Sequence, residues 1–175
     1  IYVTFMGTLT LTNNILADNG AGVHGDQLYL FAWWPTLTAS LRHNTFAHRA
    51  LGDEAIFVGD NTDLTMANNM VVSHTVGLMA GGAGLRVVAD HTFFALNGDD
   101  VRTNITSTYS VTSTGEVTGD PGFAGPSLGN YRLAPASDAM DAGVDAGVDT
   151  DVDGGFRPGG PGFDIGADEW FRRTL

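Results

Sequence analysis

Five aspartates crowd into thirteen positions of this chain: Asp141, Asp145, Asp149, Asp151 and Asp153. Asp149, Asp151 and Asp153, followed by Gly154, have the alternating oxygen spacing that opens a calcium loop. Such a loop closes on a bidentate Glu at its twelfth position, where Gly160 stands here. The run is therefore not that loop. Its carboxylates, with backbone carbonyls or Asp164, still form a set of hard oxygen donors for a structural calcium ion. Two plainer uses compete: Asx-turns in a solvated loop, and an ion pair from Asp151 or Asp153 to Arg157.

The five histidines (His24, His43, His48, His74 and His91) are scattered, with no close pair at metal-ligand spacing. No transition-metal site is expected. Glycoside hydrolysis needs two carboxylates flanking the scissile bond. Asp53, Glu54, Asp60 and Asp63 come nearest, and they read first as loop residues. No glycine-rich phosphate loop and no Gly-x-Ser-x-Gly elbow occurs. The segment YLFAWWP, residues 29–35, is an unusually apolar loop. Trp33 and Trp34 are the candidate ligand contacts, because exposed aromatics stack on sugar faces and form interface hot spots. One of the two is expected to cover a flank of the fold while Pro35 turns the other outward.

Composition narrows the partners. The chain has 175 residues, eight basic against twenty acidic, and a formal net charge of −12. Every basic residue is Arg, and seventeen of the acids are Asp. That balance excludes nucleic acid, whose phosphates demand Lys and Arg, and anionic membrane surfaces. No apolar run is long enough to insert in a membrane. The absence of cysteine excludes disulfides and thiolate metal sites. Long straight-chain polar residues, which clothe helices, are scarce. Gly, Asp, Asn, Ser and Thr, which favour turns, abound. The chain is expected to be strand and turn.

A repeat organises the first hundred residues. Leu11, Asn14, Leu16 and Asn19 share a pattern with Leu41, Asn44, Phe46 and Arg49, and with Met66, Asn69, Val71 and His74. A degraded copy reads Val88, His91, Phe93, then Leu96 and Asn97. The steps are 30, 25 and 22 residues, the scale of a solenoid. The expected fold is all-β: a parallel β-helix of about four coils over residues 1–102. Leu16, Phe46, Val71 and Phe93 would stack inside it. Asn14, Asn44 and Asn69 would form a ladder at a bend, each amide both donating and accepting, with His91 ending the ladder.

This pattern resembles the right-handed parallel β-helix repeat of pectate-lyase-like proteins. From GDPGF (119–123) through NYRLAPASDAMDAG (130–143), DTDVDGGFRP (149–158) and FDIGADE (163–169), the chain resembles the choice-of-anchor Q segment, which joins β-helix coils to surface-anchoring tails. Ala136, Asp138 and Asp168 depart from its usual residues. The resemblance implies an extracellular or cell-surface location and no single activity. Residues 103–175 are expected to cap the last coil, with Phe123, Tyr131, Leu133, Met140 and Ile165 as plugs over open strand edges.

The expected function is non-catalytic: a rigid secreted or surface face for adhesion or contact with a polysaccharide or cell-surface glycan. One alternative is the C-terminal part of a polysaccharide lyase or glycoside hydrolase. Another is a structural subunit, since the first coil opens mid-pattern at IYVTF and could self-associate head-to-tail.

Overall fold

The computed structural model describes residues 1–20, 24–104 and 109–171. Its strands in chain order are β1 (Tyr2–Val3), β2 (Gly7–Thr12), β3 (Ile15–Ala17), β4 (Leu28–Leu30), β5 (Leu37–Arg42), β6 (Thr45–Val58), β7 (Thr62–Ala67), β8 (Met70–Ala80), β9 (Leu85–Asp90), β10 (Phe93–Ala95), β11 (Asp99–Thr103), β12 (Tyr109–Thr114), β13 (Phe123–Gly125) and β14 (Asn130–Leu133). All pairings except β13 with β14 are parallel. The chain is an all-β solenoid of about four turns.

Each turn presents three faces. β2, β5, β7, β9 and β12 form the first. β3, the starts of β6 and β8, and β10 form the second. β1, β4, the ends of β6 and β8, and β11 form the third. The coil therefore runs past residue 103, because β12 still pairs with β9. Apolar side chains alternate inward on the first face: Leu37, Ala39 and Leu41, then Leu64 and Met66, then Leu85, Val87 and Ala89, all buried in one core. Leu28, Leu30, Ile56, Val58, Leu78 and Ala80 enter the same core from the third face.

The bend between the first two faces carries the amide stack. The backbone N and Nδ2 of Asn14 both donate to Asn44 Oδ1 at 3.0 Å. Those of Asn44 both donate to Asn69 Oδ1 at 3.0 Å. Nδ2 of Asn44 also reaches Leu11 O at 2.9 Å, and Nδ2 of Asn69 reaches Leu41 O at 2.8 Å. One residue earlier on every rung the backbone is left-handed: Asn13, His43, Asn68 and His91 have φ of 56°, 50°, 54° and 42°.

The fourth rung differs from the expected alignment by one residue. Phe94, not Phe93, pairs with Val71 and enters the core, while Phe93 pairs with Met70 and faces outward. His91 therefore belongs to the left-handed column, beside Asp90 at 2.8 Å, and Thr92 takes the ladder position. Histidine mimics asparagine in both polarity and tolerance of the bend, so residue type alone does not separate the two columns. A second displacement lies in β6. His74 pairs with Gly52, not Arg49, because the register shifts between Ala47 and Gly52.

The C-terminal segment lies along the flank of the second face as a strap that touches four successive rungs. Tyr131, Leu133, Ala139 and Ile165 pack on Ala47, Met70, Val72, Phe93 and Ala95. Tyr131 OH donates to Asp18 Oδ2 at 2.8 Å, Gly166 N to Asn68 O at 2.9 Å, and Ala167 N to Thr45 Oγ1 at 3.0 Å. Gly166 has φ of +105°, and a Cβ there would meet Thr45 Oγ1 at 2.9 Å, so the strap can approach this closely only without a side chain. Phe123 and Met140 pack against the same flank cluster.

Arg157 anchors the strap. Its side chain and that of Glu169 are wholly buried, with Nη1 2.6 Å from Glu169 Oε2. Nη2 donates to Gly166 O at 2.9 Å and to Asn13 Oδ1 at 3.4 Å. Glu169 Oε1 accepts from Gly159 N at 2.7 Å.

Two substitutions test these supports. Asn44→Leu strands the groups its amide pairs on neighbouring rungs and should cost about 1–3 kcal/mol, read as a fall in Tm; an unchanged Tm would refute the stack's role. Arg157→Met leaves Glu169 buried and unpaired and should cost about 3–5 kcal/mol, with earlier proteolysis inside residues 118–170 as its signature.

Candidate functional site

The Trp33–Trp34 loop joins the third face to the first. Its base is fixed by backbone bonds from Ala32 N to Asp60 O at 3.0 Å and from Leu37 N to Asn61 O at 2.9 Å. Asn61, left-handed at φ 49°, turns its amide across the loop. Nδ2 donates to Ala32 O at 3.1 Å and to Trp33 O at 2.9 Å. The loop's carbonyls are thus held while its side chains project outward. Trp33 is 81% exposed and Trp34 77%. The expectation that one of them covers the coil's flank is not met. Phe31 sets its ring edge-on to Trp33, with centroids 5.1 Å apart.

A second aromatic group escaped sequence reading. Tyr2, Tyr29 and Phe57 occupy one outward position of three successive rungs on the third face. Their rings stack at 4.3 Å and 4.9 Å, with interplanar angles of 14° and 9°. His24 tilts against Phe57 at 4.9 Å. Stacking in this column braces the coil and covers Tyr29 and Phe57, leaving Tyr2 exposed at its end, whereas Trp33 and Trp34 are the more exposed rings. The column becomes visible only once the strand register across the long first rung is known.

The aspartates of the acidic run are occupied with local structure. Asp151 Oδ1 accepts from Asp153 N at 2.9 Å and Gly155 N at 2.7 Å, and its Oδ2 accepts from Glu169 N at 3.2 Å. Asp153 meets Arg132 at 2.6 Å. Asp149 contributes its carbonyl to Arg157 N at 2.9 Å. Arg157 itself pairs with Glu169, not with Asp151 or Asp153. Among the described residues, no group of three or more His, Asp or Glu is placed to hold a metal ion.

Of the four acids nearest to a hydrolytic set, Glu54 and Asp63 are engaged in ion pairs, and Asp60 Oδ1 accepts from Ala83 N at 2.5 Å. Glu54 meets His24 at 2.7 Å and Asp63 meets Arg86 at 3.0 Å. Asp53 and Glu54 lie within β6 and not in a loop. Burial pushes the Asp164 carboxyl up to about 6 and raises Asp168 as well. Both lie in the strap and accept backbone N–H groups: Asp164 from Asp141 and Trp170 at 2.7 Å each, Asp168 from Leu133 at 2.8 Å. Asp18 is held down at about 2, first by its hydrogen bond with Arg49.

His43 and His74 are buried. Desolvation lowers His43 to about 3, reinforced by the charge of Arg157. Desolvation lowers His74 to about 4, reinforced by His48. Asn68 Nδ2 lies 2.9 Å from His43 Nε2, which makes that nitrogen an acceptor and the ring neutral.

Comparison with known proteins finds no matching family model, no matching curated protein and no matching solved structure. Among the described residues no helix is long and apolar enough to cross a membrane.

The buried imidazoles set a pH dependence. Below the ordinary histidine value of 6.5 the unfolded chain takes up protons that folded His43 and His74 refuse, so their contribution, complete above 6.5, is lost as pH falls toward about 4 and 3. Asp164 and Asp168 act in the opposite sense, because the folded state keeps their protons to higher pH. A His43→Gln/His74→Gln variant should therefore gain Tm relative to the parent as pH is lowered from 6.5 to about 4.5; parallel Tm curves would contradict this.

Proposed function

We propose that this chain is a non-catalytic, secreted or cell-surface β-solenoid that contacts carbohydrate. The observation that carries the reading is the pair of indoles, Trp33 and Trp34, both more than three-quarters exposed on a loop whose carbonyls Asn61 holds. Large apolar side chains left in water are costly, and a fixed loop presents them with little ordering left to do on binding. Sugar rings offer C–H faces to cover indoles and hydroxyls for the short polar residues around them.

The ion pairs that engage Glu54 and Asp63 support a binding role over hydrolysis by those two acids, since hydrolysis requires two carboxylates free to flank a bond. Kinship with pectate-lyase-like β-helices bearing a choice-of-anchor Q segment belongs to the same proposal, supported by the parallel coil and by the motifs between residues 119 and 169. An extracellular or surface location follows from that kinship.

The test is retention on a panel of polysaccharides, with and without calcium, together with an assay for new chain ends. The parent should be retained and release no ends. Trp33→Ala/Trp34→Ala should weaken retention by roughly tenfold or more at unchanged Tm. Equal retention by this variant would defeat the reading, and new chain ends would replace it with a lyase or hydrolase.

A further inference from the structure

Of the three outer faces, the second is covered by the strap and the third carries the aromatic column. The first face is open, and its surface is unusual. Its central outward column runs Thr10, Ser40, Thr65, Val88 and Thr112 across five rungs. Side chains on it are short, and four of the five carry a hydroxyl that both donates and accepts. Rungs lie about 4.8 Å apart and alternate outward positions about 6.6 Å apart, so the outward positions form a grid; along the strands, at right angles to the hydroxyl column, it reads Thr38, Ser40 and Arg42 on β5 and Asp63, Thr65 and Ala67 on β7.

The grid has two borders. Trp33 and Trp34 stand immediately before β5. At the other end of β5 and β7 lies a groove of about 300 Å³, where Ser40, Arg42, Thr65 and Ala67 meet Asp145 and Ala146 of the strap. The six residues of β5 span about 20 Å between the borders.

The charged groups on this face are few and mostly engaged, Asp90 with His91 at 2.8 Å among them. Asp63 and Arg86 pair at 3.0 Å, Arg42 reaches Ala146 O at 3.4 Å, and Asp145 Oδ1 accepts from Gly147 N at 2.9 Å. The face belongs to a molecule of net charge −12, whose field repels polyanions.

We infer that the ligand is an extended, uncharged polysaccharide laid along the strand direction of the first face, from the Trp33–Trp34 tip to the groove beside Asp145. This rests on the reading of the two tryptophans as a glycan contact, and it adds where the chain runs and what its charge is. Indoles cover one end of the ligand, Thr38 and Ser40 of β5 and Thr65 of β7 lie along its path, and the strap walls the far end.

The experiment compares soluble β-glucan oligosaccharides of increasing length, insoluble cellulose and polygalacturonate at low salt. Affinity for the neutral series should rise with length until the face is spanned, and polygalacturonate should not be retained. Thr65→Arg, an outward change in the middle of the grid, should lower neutral-glycan binding by roughly tenfold or more at unchanged Tm. Ser40→Arg, on the neighbouring rung, serves if Thr65→Arg disturbs folding. If Trp33→Ala/Trp34→Ala loses binding while both arginine variants keep it, the path across the face is wrong and the tryptophan contact stands. Preference for polygalacturonate would overturn the charge assignment. No retention of any glycan by the parent would overturn both proposals, and concentration-dependent dimerisation abolished by Thr65→Arg would assign the face to a second copy of the chain.

Discussion

A chain that coils around its own apolar core must turn sharply at each corner without leaving buried N–H and C=O groups unpaired. At the corner between the first and second faces this is solved by a carboxamide. Asn14, Asn44 and Asn69 each take one position of the bend, and each oxygen of the deeper pair receives two hydrogen bonds from the rung before it. Spacing of rungs, alignment of the leucine columns and the left-handed residue preceding each amide all follow from that bond set. A shorter version recurs at the next corner, where His74 N donates to Asn97 Oδ1 and Asn97 Nδ2 reaches Val71 O, both at 3.0 Å.

The first three rungs were legible because their corner residues share one chemistry and the core residues hold fixed offsets from them. Legibility failed where the chemistry was substituted. Thr92 in the ladder carries no amide and His91 beside it resembles one, so the pattern on the fourth rung points one residue too early. The insertion around residues 48–51 similarly displaced Arg49 from the column of His74. No pattern on one rung reveals a bulge; it appears only in the pairing with its neighbour.

The strap shows a signal present but unused. Strands buried on a single face alternate apolar and polar, whereas those buried on both read as continuous apolar runs. Met70, Val71 and Val72, and then Phe93, Phe94 and Ala95, are such runs, and both lie on the flanked face. On the first face, TLTLT at residues 8–12 alternates, and that face is open. The candidate site divides the same way. Trp33 and Trp34 stand out by residue type alone, whereas the hydroxyl column and the Tyr2–Tyr29–Phe57 column are properties of register and belong to no single stretch of sequence.

The strap also changes what kind of object the solenoid is. A bare stack of coils is nearly one-dimensional: each turn touches only its neighbours, and melting creeps inward from either end. Here a single crossing segment binds Asn13 through Arg157, Thr45 through Ala167, Asn68 through Gly166, and Phe93 through its apolar cluster. Peeling away the first turn loosens a segment that the third and fourth also hold. The strap thus converts an array of neighbouring turns into one cooperative unit, in which the ends are no weaker than the segment that ties them to the middle.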